Sequence, residues 1–457
     1  RQITISSAYI KNVPSSEFKR LRYIQRSKAH EFRFLLPTVW WTFDHWQRST
    51  IINANTCVSD WHRLVFSPKT NTYEVSLVVQ VEQGNSGSTD RWVFRRHIER
   101  GHSRPGTCTF ADLAEILDDN WRFPIHRSVF LLYPQALDMK RVVANITSCR
   151  PIPEAPIFNQ TIRFLNVSSK VCVPGKPIER HLDAIVVIKS AVYNFAERER
   201  LRRVYAKEAK RETTFRMIMV FSIGLPRSSG GRFFQREGLN ISLPGRAGDL
   251  LQKMQSKRSE VLSKLAEESR INGDLVLGDY EDTYYNLTVK LFHTFQWASR
   301  FCRGYFTHQQ RPPVFIFMDD DYAFNASLMK AELGALSDAK IRRVALGSPL
   351  LASRVYRPMI SPGFEKWILS KHQVPWPYHA PYFSGTFFIL GADVLQEIAL
   401  AMYFTQQFPV DDAWLGIIMM KLNLSVQCRP SMHSHWSNVN KKELVLFAPF
   451  DYLFGQQ

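Results

Sequence analysis

Three consecutive aspartates, Asp319, Asp320 and Asp321, close an apolar run in FIFMDDDYAFN, residues 315–325. Carboxylates side by side raise one another's pKa unless a cation neutralises them, and a divalent metal is the economical solution. Along extended chain, alternate residues point to opposite sides, so Asp319 and Asp321 converge while Asp320 is left for a different bond. Oxygen-only ligands suit Mg²⁺ or Mn²⁺, which are typically held by one or two carboxylates together with substrate phosphates. A solvated turn or a helix cap is the plain alternative for an acidic triplet. Its place directly after a buried strand favours the ligand site.

That strand, 314–318, is one of a series. Continuous apolar, β-branched stretches at 183–190, 215–224 and 273–279 read as further buried strands. Between them lie helical patterns. The segment 194–211 opens on Asn194 as N-cap with Glu197 three residues later, a capping box. Another helix is expected around 253–269, and a third places Leu287, Leu291, Phe295 and Ala298 on one face. Fully apolar strands alternating with helices predict an α/β fold with a mostly parallel sheet covered on both faces, and such sheets bind ligands at the carboxyl ends of their strands.

Residues 1–150 differ in character and read as a separate N-terminal accessory module rich in β-strand. EVSLVVQV (74–81) and RWVFRR (91–96) flank a Gly/Ser-rich stretch and read as two strands joined by a loop, with a short helix around 113–117. Its tryptophans, Trp40, Trp41, Trp46, Trp61, Trp92 and Trp121, suit a buried core or a sugar-binding face. RPIPEAPIFN (150–159) begins a connection over 151–180. A catalytic domain over 181–440 and a C-terminal tail over 441–457 follow.

At 457 residues and 45% hydrophobic the chain can bury more than one core, which excludes a disordered or low-complexity protein. A formal charge of +18 suits polyanions, anionic surfaces or phosphorylated small molecules. No nucleic-acid recognition motif accompanies that charge. The six cysteines are scattered without CxxC spacing, which fits disulfides rather than zinc, and seven N-x-S/T acceptors (Asn145, Asn159, Asn166, Asn240, Asn286, Asn325, Asn423) point to a secretory glycoprotein. No apolar run reaches the roughly 20 residues that span a bilayer, so membrane attachment would come only through an anchor absent from this chain.

The acidic run and its company resemble glycosyltransferase family 31, the β1,3-galactosyltransferase and β1,3-N-acetylglucosaminyltransferase group. IVVIKSAVYNFAERERLRRVYA, DYEDTYYNLTVK, Trp297 with Cys302, DDDYAFN, KWILSKHQVPWPYHAPYFSGTFFIL and FPVDDAWLG stand in the family's order over about 181–436. The sequence departs from the family's pattern at Phe317 and Met318 before the triplet, and at Thr386 and Phe387 after Ser384-Gly385.

The resemblance implies a GT-A-type fold and inverting, metal-dependent transfer of a hexose, galactose first, from a UDP-sugar to a glycan hydroxyl in β1,3 linkage. It implies Mn²⁺ or Mg²⁺ held by Asp321 with Asp319, and by His433 or His435 of MHSHW. Asp412, with Asp411 beside it, falls on the position of the catalytic base. Arg198, Arg202, Asp279, Asp282, Asp319 and Asp320 become donor-binding residues, and Trp367, Trp376, Tyr382, Ser384 and Gly385 the acceptor side. The partners implied are a UDP-sugar and a glycan on a glycoprotein or glycolipid, and the compartment is the Golgi lumen. Transfer of N-acetylglucosamine is the nearest alternative activity. A non-catalytic carbohydrate-binding protein that keeps the fold is the alternative of another class.

Overall fold

The computed structural model describes residues 61–79, the pairs 92–93 and 107–108, and 110–455 apart from 132, 135–136, 153, 177–180, 237, 308, 359–363, 430–431 and 433–445. Trp40, Trp41, Trp46, His433 and His435 lie outside the described residues.

Nine strands form one sheet: β1 (His62–Ser67), β2 (Thr72–Leu77), β3 (Ile162–Asn166), β4 (Ala184–Lys189), β5 (Met217–Leu225), β6 (Leu275–Glu281), β7 (Val314–Asp319), β8 (Ala345–Leu350) and β9 (Tyr382–Leu390). Their spatial order is β1-β2-β3-β6-β5-β4-β7-β9-β8. The four central strands, β6, β5, β4 and β7, run parallel, and β3 and β9 join them antiparallel on either side. Each central strand is apolar on both faces because both faces are covered. Along β4, Ile185 and Val187 join one core and Ala184, Val186 and Ile188 the other. Along β7, Phe315 and Phe317 face the first core while Val314, Ile316 and Met318 face the second. The helix Leu287–Phe301 lies over the first face, where Phe295 stacks on Phe317 with ring centres 4.9 Å apart.

The four expected strands and the helix from Leu287 are in place. The helix expected around 253–269 is two helices, Gly245–Met254 and Arg258–Asn272. The two strands expected at 74–81 and 91–96 are in place as β2 and Trp92–Val93; among the described residues β2 pairs with β3, and Trp92–Val93 pairs with Thr107–Cys108. Alternation along β2 buries Val75 and Leu77 on one face, and pairing with β3 brings that face to the main core. The sheet thus takes two strands from the stretch whose composition marks it as an accessory module. The C-terminal tail is structured as well, since Phe447–Pro449 pairs with Tyr322–Phe324, directly after the acidic triplet.

Cys172 and Cys302 form a disulfide across 130 residues, Cys149 is also disulfide-bonded, and Cys428 is an exposed free thiol. No helix among the described residues is long and apolar enough to cross a membrane.

Candidate active site

The parallel register sets Lys189, the last residue of β4, beside Asp319, the last residue of β7. Their side chains meet, with Lys189 Nζ 3.1 Å from Asp319 Oδ1. The same ammonium lies 3.6 Å from Asp411 Oδ2 and donates to the Gly385 carbonyl oxygen at 2.7 Å. One buried cation therefore joins β4, β7, β9 and the start of the helix Asp411–Lys421. Carboxylates in that helix's first turn sit where the backbone dipole favours negative charge.

Asp412 is held by two backbone N–H groups: Gly385 N donates to its Oδ2 at 3.1 Å and Ala413 N to its Oδ1 at 2.8 Å. A Cβ on Gly385 would come within 3.3 Å of Asp412 Oδ2, so the strand approaches the carboxylate this closely because residue 385 has no side chain. Burial, then the charge of Asp411, lifts the Asp412 pKa to about 7 against the partial offset of Lys189. Asp319, with its side chain 36% exposed, is also lifted to about 7, by loss of water and by Asp321 and Asp411 against the pull of Lys189. Lys189 itself is raised, since the attraction of Asp319 and Asp411 outweighs its desolvation.

The triplet divides as its alternation predicts. Asp320 turns away and is buried, accepting from Ser190 Oγ at 2.7 Å and Asn194 Nδ2 at 2.9 Å. Asp321 is exposed, with its pKa raised by desolvation and by Asp320. Behind Ser190 stands Arg198, wholly buried. It donates to Ser190 Oγ and the Ala191 carbonyl and forms a two-point pair with Glu268 at 2.8 and 2.7 Å. Arg202 pairs with Asp274 and Glu268. Arg198 has no surface to offer a diphosphate, which corrects its expected donor contact: it holds Ser190, and through it Asp320. Asn194 sits at the helix start as expected, but its side chain makes no cap bond, because Asp320 takes the amide. Glu197, the other half of the expected box, pairs with Arg246.

Asp282 is buried one layer behind. Both its oxygens lie 2.9 Å from Lys290 Nζ, which also donates to the Ser190 carbonyl at 2.6 Å. Asp279 pairs instead with Arg163 of β3 at 2.7 Å. Of the residues expected to face the acceptor, Trp367 is partly exposed, stacks with Tyr356 and has the exposed Phe364 tilted against it, and Lys366 lies 4.1 Å over its ring. Lys366 Nζ also lies 5.4 Å over the ring of Tyr284, which sits in the field of Asp411 and Asp412. Tyr382 is buried close enough for Asp412 to raise its pKa, after burial, and Ser384 Oγ bonds Thr386 Oγ1 at 3.0 Å. Trp376 is a correction: it has no exposed surface and packs edge-on against Phe130 and Tyr133, so it belongs to the core and offers no platform to a sugar.

Sequence reasoning singled out neither Lys189 nor Lys290. The visible signal for Lys189 is a lone charge ending the unbroken apolar run AIVVI. An ammonium buried there needs anionic partners close by.

The group at the carboxyl ends of β4 and β7 can do two things. It can take up positive charge at Asp319 and Asp321, where the acids outnumber the one lysine, and it can accept a proton at Asp412.

Residues 251–430 match the family model described as galactosyltransferase. The chain is 28% identical over 252 residues to the β-1,3-galactosyltransferase brn of Drosophila melanogaster, covering 55% of this chain and 64% of that protein. It is 25% identical over 254 residues to human UDP-GlcNAc:βGal β-1,3-N-acetylglucosaminyltransferase 9, covering 55% of each. Over 162 residues it is 27% identical to human β-1,3-galactosyltransferase 5, covering 35% of this chain and 48% of that protein. The chain thus spans about half to two thirds of these relatives. Motif order, fold and these matches agree in likening the chain to glycosyltransferase family 31.

Proposed function

We propose that the protein transfers a hexose from a UDP-sugar to a glycan hydroxyl in β1,3 linkage, with inversion at the anomeric carbon. The observation that carries this reading is Asp412, a carboxylate fixed by two backbone donors and poised near neutrality, beside the acidic end of β7. Asp412 accepts the proton of the attacking hydroxyl as the new bond to the anomeric carbon forms and the bond to the diphosphate breaks. Lys189 keeps Asp411 and Asp319 apart in charge and fixes the Gly385 carbonyl, so Asp412 stays aimed. Ser190, Asn194 and Arg198 hold Asp320.

The donor set fits Mn²⁺ or Mg²⁺. It is all oxygen, crowded with negative charge, and its Asp319 and Asp321 carboxyls are strained toward protonation without a cation. Asp321 and Asp319 would hold the ion, which supplies neutralisation of the departing diphosphate. Chelation is expected to abolish turnover, and Asp321→Asn to raise the Mn²⁺ concentration needed for half activity by roughly 10-fold or more. An unchanged metal requirement in that variant removes Asp321 from the site.

Galactose is the first donor to test and N-acetylglucosamine the second, following the names of the relatives. The acceptor is a glycan on a glycoprotein or glycolipid, and the compartment is the oxidising lumen of the Golgi, in keeping with the disulfides. UDP release with Mn²⁺ from UDP-galactose, UDP-N-acetylglucosamine and UDP-N-acetylgalactosamine, each with a panel of glycan acceptors, tests the reading. No acceptor-dependent release from any of them returns the protein to the non-catalytic binding class.

The base also sets a pH dependence. Asp412 must be ionised to accept the proton, so kcat/KM for the acceptor is expected to fall as pH drops through about 7, the level to which its pKa is raised. A bound cation favours ionisation and moves that fall to lower pH. A rate that climbs between pH 8 and 5 overturns the assignment of the base.

A further inference from the structure

We propose that the segment around Asp118, outside the stretch that resembles the family, is a working part of the acceptor site: through Arg357 it sets the position of residues 364–378, which carry Lys366 and Trp367. This rests on the proposed transferase reading for what the site does, but not for the brace itself.

Arg357 is buried, and its guanidinium organises the whole segment. Nη1 donates to the carbonyls of Leu369 at 3.2 Å and Val374 at 2.8 Å, and Nη2 to that of Trp376 at 3.0 Å. A planar fork with five donors can bind several carbonyls at once only if its remaining edge is neutralised. Asp118 does this, meeting Nε at 2.9 Å and Nη2 at 3.2 Å. Lys371 adds to the attachment: it lies 3.8 Å from Asp118 and donates to the Ile116 carbonyl. Tyr133 Oη donates to the Gln373 carbonyl at 2.8 Å, and Trp376 is clasped between Phe130 and Tyr133. The far end of the held segment is the aromatic face of Trp367 and Phe364, joined by Lys366, which lies over the rings of both Trp367 and Tyr284, to the surroundings of Asp412. Aromatic faces suit the C–H faces of sugar rings. Asp118 touches none of the reacting groups, so it is a positioning residue.

The test compares Asp118→Ala, Asp118→Asn and the wild-type chain by amide hydrogen exchange and by kinetics. Both variants are expected to speed exchange at the Leu369 and Val374 amides about tenfold or more, because a charge-assisted bond is lost, while amides at 184–189 and 314–319 keep their protection. Asp118→Asn keeps the shape and removes only the charge, so it serves if the alanine variant fails to fold. With the acceptor, KM is expected to rise about tenfold while donor KM and acceptor-independent UDP release stay within about twofold. Unchanged exchange at 364–378, or equal losses on the donor and acceptor sides, overturns the proposal. Absence of turnover in the wild-type chain instead counts against the transferase reading, and the exchange experiment still decides the brace.

Discussion

Asp412→Asn is expected to lower kcat by about 10²–10⁴-fold, the usual contribution of a positioned general base. The amide is nearly the same size and cannot take the acceptor's proton. It also supplies one oxygen where the carboxylate uses both, one for Gly385 N and one for Ala413 N. One backbone donor is then left without its partner, at a cost of about 1–3 kcal/mol. Kinetics therefore need a stability measurement beside them: the variant should unfold at somewhat lower denaturant, bind UDP and Mn²⁺ with near wild-type affinity, and turn over far more slowly at every pH. A loss below tenfold would place the base elsewhere, and Asp411, 3.6 Å from Lys189, is the nearest candidate.

Lys290→Met is expected to destabilise the fold by about 3–5 kcal/mol, because it leaves Asp282 as an uncompensated buried charge. The two side chains are 3% and 5% exposed, so water cannot take over the role of either. A buried pair contributes less than its breakage costs, and replacing both partners with apolar groups of similar volume is often neutral. The double variant Lys290→Met/Asp282→Leu should accordingly recover much of the stability seen in denaturant titrations. It should not recover activity, since Lys290 also fixes the Ser190 carbonyl and Ser190 holds Asp320. Recovery of both together would mean that the pair serves stability alone.

Much of the fold is legible in the chain because its central strands are apolar on both faces, a pattern that needs no knowledge of partners. The end of β7 stands out in the chain for the same reason: three carboxylates follow directly on the buried run VFIFM. What a local window misses is pairing at a distance. Asn194 has the residue type and spacing of a helix cap, yet its amide is claimed by Asp320, 126 positions on. Arg198 reads as a donor-binding cation until Glu268 is seen opposite it. Trp376 reads as a sugar platform until Phe130 and Tyr133 cover it. Lys189 is the strongest case, because its three partners come from three distant stretches of chain, and no spacing rule connects them. Strand pairing in the first 150 residues is hidden on the same ground: β2 pairs with β3, a partner that no local window around 74–81 contains.

The Cys172–Cys302 bond also bears on how the chain is made. Its two halves are separated by 130 residues. At roughly 5–20 residues per second, ribosomal synthesis leaves the first thiol waiting on the order of 10 s for the second. Cys57, Cys108 and Cys149 have already emerged by then, so each is a wrong partner within reach before the right one exists. Recovery of correctly folded protein should therefore depend on a disulfide isomerase that can undo early mispairing, and yield should respond to oxidase and isomerase levels more than to translation rate alone.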